Sequence, residues 1–298
     1  MDVPSARHSG GEYMHKNGKK LAAIAGALAL TIGLASQSAA DPDENSLVIE
    51  GETIVTDVKA PADSPLEHLY SGWRFRASET QSLQADDFEN PGMVAVEQAI
   101  DQFATVDGSE GKACADCHAD VSDFKGLRPT LPRWDEAKGK PETLEHIVNE
   151  CRTERMGAKA WKWEAQEMLN MTALIGLQSR GMPVAVDTGG PMASVWEKGK
   201  ELYYTRVGQL DMSCAHCHEN NYGKMIRADH LSQGQINGFP VYRLKWGGLG
   251  SIHRRFKGCM QNIRATPFKR GSDEFIALEL YVASRGKGLS VEVPSVRN

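Results

Sequence analysis

The chain has 298 residues, 41% apolar and 24% charged, enough for two modest globular cores and too apolar for wholesale disorder. Its formal net charge of −5 disfavours nucleic-acid binding, because neutralising phosphates needs a basic field over a whole face.

At the N-terminus, Lys16, Lys19 and Lys20 lead into an apolar run from Leu21 to Ala35, followed by the small residues Ser36, Ser38, Ala39 and Ala40. The run is shorter than the ~20 residues a membrane-spanning helix needs and ends in a small-residue cleavage pattern. Residues 1–40 are therefore expected to be a cleaved export signal, which makes the mature chain periplasmic with no membrane span. Met14 is an alternative start, since Met1 to Tyr13 add nothing to the signal. Cleavage removes four Lys/Arg and two acidic residues, so the net charge falls from −5 to −7. Residues 41–91 form an N-terminal extension with two β-like runs, Leu47 to Glu50 and Thr53 to Val58, around Gly51; a loosely ordered start to this segment is the alternative.

Val96, Ala99, Ile100 and Phe103 mark one face of a helix that leads into Cys114-Ala115-Asp116-Cys117-His118. Leu144, Ile147, Val148 and Cys151 share the face of a second helix, and a third helical pattern ends at Ser179-Arg180-Gly181. The order then repeats. Met192, Val195, Trp196 and Gly199, with Pro191 at the first turn, precede Cys214-Ala215-His216-Cys217-His218. Ile252, Phe256, Cys259 and Ile263 follow on one face, and a last helix ends at Ser284-Arg285-Gly286. This predicts a mainly α fold of two tandem cytochrome c-like domains related by internal duplication, 92–185 and 186–298, behind the extension.

Six cysteines in an exported chain would ordinarily suggest three disulfides, but four of them lie in two C-x-x-C-H motifs. That spacing attaches haem c: each thiol adds to a porphyrin vinyl group and the adjacent His becomes the proximal ligand. Two haem c groups are expected, held by Cys114 and Cys117 and by Cys214 and Cys217. Cys151 and Cys259 remain, at matching places in the repeat, and thiolate ligation of each iron is the reading the duplication favours. A disulfide between them, free thiols, or ligation by His146, Met156, His253 or Met260 stay open.

From His230 to Ser272 there is no acidic residue, while Arg243, Lys245, Arg254, Arg255, Lys257, Arg264, Lys269 and Arg270 accumulate. A docking face for an acidic partner is one reading of this run. Arg255 stands one helical turn before Cys259, where a guanidinium lowers the thiol pKa and holds an anion beside the sulfur. Around Cys151, Glu150 and Glu154 offset Arg152 and Arg155. Chemistry is thus expected in the second half, electron storage or structure in the first.

At these residues the chain resembles the SoxA family, the dihaem subunits of SoxAX cytochromes of bacterial sulfur oxidation. The resemblance runs through Ser71-Gly72-Trp73, Glu79-Thr80-Gln81, Asn90-Pro91-Gly92, both haem motifs, Gly208-Gln209-Leu210, Leu231-Ser232-Gln233-Gly234-Gln235, His253 to Cys259 and Gly286-Lys287-Gly288-Leu289. It implies that His118 and Cys151 are axial to the first haem, and His218 and Cys259 to the second. It also implies that Cys259 is the catalytic sulfur, able to carry a persulfide, and that Arg255 binds substrate. The implied activity is that of an L-cysteine S-thiosulfotransferase, joining thiosulfate oxidatively to a cysteine of the carrier SoxYZ with a SoxX cytochrome as partner subunit. That bond formation releases two electrons and a haem accepts one at a time, so a second redox centre takes part. Three other readings are a dihaem cytochrome that only transfers electrons, a haem-bearing scaffold with no turnover, and a dihaem peroxidase; the last needs an open coordination position, which a ligand cysteine in each half disfavours.

Overall fold

A computed structural model of the chain describes residues 46–298; the expected signal segment, 1–40, lies outside the described residues. The described chain opens with β1 (Leu47–Ile49), β2 (Glu52–Ile54), β3 (Asp57–Lys59) and β4 (His68–Tyr70), then helices α1 (Ser78–Ala85) and α2 (Met93–Ala104). The hairpin β5 (Arg133–Asp135) and β6 (Lys140–Glu142) precedes α3 (Leu144–Glu150) and α4 (Gln166–Leu177). The second half runs through α5 (Met192–Tyr204), α6 (Cys214–His218), β7 (Met225–Ile226), β8 (Asp229–His230), β9 (Val241–Arg243) and β10 (Gly248–Gly250). It ends with α7 (Ile252–Asn262), α8 (Asp273–Arg285) and β11 (Ser295–Arg297). The fold is mainly helical and duplicated.

Each half is built on one long helix pair, α2 against α4 and α5 against α8. Val96, Ala99 and Phe103 of the predicted stripe are buried, whereas Ile100 is 56% exposed, because the face that meets α4 is narrower than the sequence pattern suggests. One apolar core runs through both halves, from Val96 and Met168 to Phe275 and Leu280. Each large side chain buried there contributes roughly 1.5–3 kcal/mol.

The duplication is also written in backbone hydrogen bonds. The loop before the first motif closes through Asp107 and Lys112, the one before the second through Val207 and Met212. Ser109 and Glu110 N–H groups donate to the Gly157 and Met156 carbonyls; Gln209 and Leu210 donate to Arg264 and Ile263. In both halves the loop entering the attachment turn is thus pinned to the chain just past the spare cysteine. Gly108 and Gly208 make this possible, at φ +77° and +74°, where an added Cβ would sit 2.0 Å from the Met156 carbonyl oxygen and 2.3 Å from that of Ile263. Gly208→Ala is therefore expected to destabilise the protein by about 2 kcal/mol or more, read as a lowered midpoint of thermal unfolding.

The extension is bound rather than loose over its described part. Glu50 and Gly51, both at positive φ, make the tight β1–β2 turn, but the second β-like run divides between β2 and β3. Val55 exchanges hydrogen bonds with Ser290, and α1 packs on β11. The last residues thread through the middle of the molecule: β11 pairs in parallel with β9, and Gly181 and Val184 bond to Val291 and Leu289. Val291, Val293 and Val296 are fully buried there. Glu292, also fully buried, is held by Arg297 at 2.8 Å, Gln84 at 3.0 Å and Asn237 at 3.2 Å. The tail ties extension, interdomain segment and second half together.

Candidate haem and sulfur site

Both C-x-x-C-H motifs are single helical turns capped by their own side chains. In the first, a 3-10 turn from Cys114 to Asp116, the Asp116 carboxylate accepts the Ala113 N–H at 2.7 Å. In the second, α6, His216 Nδ1 accepts the Ser213 N–H at 3.2 Å. One turn places the first thiol and the following His on the same side, as the His118 N–H to Cys114 carbonyl bond of 3.0 Å shows. The His118 ring packs on Phe124 with centroids 4.6 Å apart.

The second half carries more support. His218 Nδ1 donates to the Ser232 carbonyl at 2.8 Å, which fixes the tautomer and leaves Nε2 as a lone-pair donor, the arrangement usual for an imidazole that binds a metal. The loop after β8 is pressed against that ring: a Cβ on Gly234, at φ +77°, would lie 2.8 Å from His218 Cγ. Cys259, on α7, lies within hydrogen-bond reach of His218. Cys214 and Cys217 are close enough for their thiols to feel Cys259, and burial together with that field pushes Cys214 up to about 12 and raises Cys217. An imidazole and a thiol meeting beside the two cysteines of a C-x-x-C-H motif is a donor set that fits haem c.

The two spare cysteines sit in opposite electrostatic settings. Burial raises the Cys151 thiol and Glu150 raises it further, against Arg155. It occupies a π-helical turn, Cys151–Arg155, rather than the end of an α-helix. Burial would raise Cys259 too, but Arg255, the contact with His218 and the charge of Arg243 outweigh it and hold the thiol at about 6. All six cysteines are unpaired, so Cys151 and Cys259 are not joined to each other. His146 and His253 are engaged on the Trp163 indole, at centroid distances of 5.2 and 4.8 Å. Met156 is buried, and Met260 packs against the main core.

Two residues of this site, Asp229 and Arg76, were not singled out from the sequence, and Arg243 only as one member of the basic run. Arg243 is buried on β9, stacks at 5.0 Å on Trp246 and faces Asp229 at 3.7 Å. Burial, with Arg255 nearby, lowers its guanidinium to about 10. Asp229 is the acid just ahead of the basic run, and Arg76 reaches it from the extension while also donating to the His230 carbonyl at 2.8 Å. Their signal in the sequence was only the abrupt end of acidic residues at Asp229.

A family model described as SoxA/TsdA, cytochrome c domain, matches residues 98–184 and again 198–291. The chain is 55% identical over 279 residues to the L-cysteine S-thiosulfotransferase subunit SoxA of Rhodovulum sulfidophilum, covering 91% of this chain and 97% of the relative. It is 53% identical over 278 residues to the subunit of the same name from Paracoccus pantotrophus, covering 91% and 96%. The crystal structure of SoxXA from P. pantotrophus superposes with a TM-score of 0.84 at 53% identity, over 87% of this chain and all of that one.

Proposed function

Because the chain belongs to the SoxA/TsdA cytochrome c domain family and, within it, to the SoxA subunits, we propose that it works as a dihaem L-cysteine S-thiosulfotransferase whose reactive sulfur is Cys259. It is a haem-bearing cytochrome c that couples thiosulfate to a cysteine and pairs with a SoxX-type cytochrome. The acceptor is a cysteine of a SoxYZ-type carrier protein, and the work takes place in the periplasm after loss of residues 1–40. The domains are 92–185, with haem on Cys114 and Cys117 and His118 and Cys151 as axial ligands, and 186–298, with haem on Cys214 and Cys217 and His218 and Cys259. The observation that carries the assignment of roles is the contrast between the two spare cysteines: one thiol raised, the other held at about 6 beside Arg255.

The coupling joins a carrier thiol to the outer sulfur of thiosulfate: RSH + S2O3(2−) gives RS–S–SO3(−), one proton and two electrons. Haem c, when bound, supplies one-electron acceptors for them. Arg255 holds the sulfonate end of the dianion, and the buried Arg243 adds positive field. The same two guanidiniums keep Cys259 in its thiolate form, which attacks the outer sulfur of thiosulfate to give a persulfide as the S–S bond breaks and sulfite leaves: RS(−) + S2O3(2−) gives RSS(−) + SO3(2−). His218 is oriented by Ser232 and kept in place by the loop at Gly234. Gly234→Ala is expected to displace that imidazole, so that absorption of the haem in the second half changes while that of the first does not.

The reading is tested by mixing the haem-loaded complex with thiosulfate, a SoxYZ-type carrier and an electron acceptor, then weighing the carrier. The expected result is a carrier heavier by one thiosulfonate group only when the complex is present. A carrier of unchanged mass, with the acceptor unreduced, would overturn it.

A further inference from the structure

The two halves meet at a buried polar cluster that the sulfur chemistry does not use. Glu145 stands six residues before Cys151 on α3, and His253 six residues before Cys259 on α7, so they occupy the same place in the repeat. The fold brings these equivalent positions together with Glu279 of α8. His253 is fully buried, stacked on Trp163, and its Nδ1 accepts the Gly271 N–H at 3.0 Å. That contact puts the ring proton on Nε2, which faces Glu279 Oε2 at 3.1 Å without forming a well-directed hydrogen bond. Glu279 is 4% exposed, and this oxygen has no hydrogen-bond partner.

Glu145 and Glu279 both line a cavity of about 20 Å³, together with Thr172, Ser251 and Arg128. That is room for one water with polar partners on several sides. Glu145 is half-buried and accepts the Thr143 hydroxyl at 2.8 Å. Arg128, which also donates to the Phe239 carbonyl at 3.2 Å, is the one cation in the cavity wall. Lys138 and Lys140 bear on His146 from the β5–β6 hairpin, and the Ser251 hydroxyl donates to Glu164, which has Arg270 at 3.7 Å. One guanidinium stands in a wall shared by two carboxylates, so ionisation of either carboxyl disfavours ionisation of the other. In accord with this, burial and then the neighbouring Glu279 raise the Glu145 carboxyl, against His253 and Thr143.

We propose that Glu145 and Glu279 form a proton- and water-binding site between the two cytochrome units, which takes up a proton when an electron enters the haem sites and gives it back when the electron leaves. The proposal rests on the two-haem reading above. Six residues separate Glu145 from Cys151, and six separate Cys259 from His253, which faces Glu279, roughly 9 Å along each helix axis. An electron arriving at either position adds a negative charge, and at such separations inside a protein that charge favours protonation of the carboxyl pair. The balance is one electron in and one proton from water onto a carboxylate oxygen, then both out. The electrons are those released by the sulfur coupling.

The test is infrared difference spectroscopy of the haem-loaded full chain with its partner subunit, reduced minus oxidised, in H2O and D2O. The expected result is the carbonyl band of a protonated carboxylic acid that gains intensity on reduction, moves down in D2O and is lost in both Glu145→Gln and Glu279→Gln. The haem reduction potentials should fall with rising pH in the wild type and lose that dependence in the variants. Absence of the band, or its persistence in both variants, would overturn the proposal, as would a band indifferent to redox state. If one variant fails to take up haem, the other decides. Carrier loading in the same samples is read separately, so a failure of the thiosulfate reading is distinguishable from a failure of the proton site.

Discussion

Cys259→Ala is expected to lower thiosulfate-dependent carrier loading by ~10³-fold or more, the scale of loss when a reacting nucleophile is deleted. The Cys259 thiol is the one held down at about 6, while Cys151 is raised. Haem should stay covalently bound at Cys214 and Cys217, because thioether attachment is independent of the sixth ligand. The absorption of that haem should change through loss of the thiolate, and the first should be untouched. Cys151→Ala should show the reverse pattern: an altered first haem and carrier loading kept within about tenfold of wild type. Turnover of Cys259→Ala at the wild-type rate would support instead a cytochrome that only transfers electrons.

The second large effect belongs to Arg255. Arg255→Ala is expected to lower kcat/KM for thiosulfate about 10- to 100-fold, since a charge-assisted hydrogen bond to an anion is worth roughly 1.5–3 kcal/mol. Arg255→Lys should recover part of this loss, because an ammonium restores the charge but not the planar fork of donors. The loss should be carried mainly by KM if Arg255 does no more than hold the dianion. An equal fall in kcat would show that it also sets the state of the sulfur, as its field on Cys259 predicts. Arg255→Ala with unchanged kcat/KM would move substrate binding elsewhere, with Arg243 the nearest candidate.

The helices, both attachment turns and the two spare cysteines were legible in the sequence because each is a local pattern: a 3.6-residue stripe, a fixed motif, a matched position in a repeat. Long-range contacts were not. The buried tail at Val291, Val293 and Val296 carries no motif, and nothing local says that it packs between α1 and β9. Arg76 lies far from Asp229 in sequence, so its arrival beside the second site could only be seen in the fold. Glu145 and His253 look like unrelated residues in an alignment of the two repeats; that equivalent positions meet is a property of how the halves pack. Ile100 shows the opposite error, a stripe residue left outside because the partner helix covers a narrower face.

The central claim, two haems with a reactive sulfur on Cys259, is tested most directly by peptide mass mapping of the purified protein before and after gentle reduction. Two haem-bearing peptides, one holding Cys114 and Cys117 and the other Cys214 and Cys217, together with a reducible extra sulfur on the Cys259 peptide, are the predicted result. Haem on a single motif, or extra sulfur on Cys151 with Cys259 bare, would contradict it.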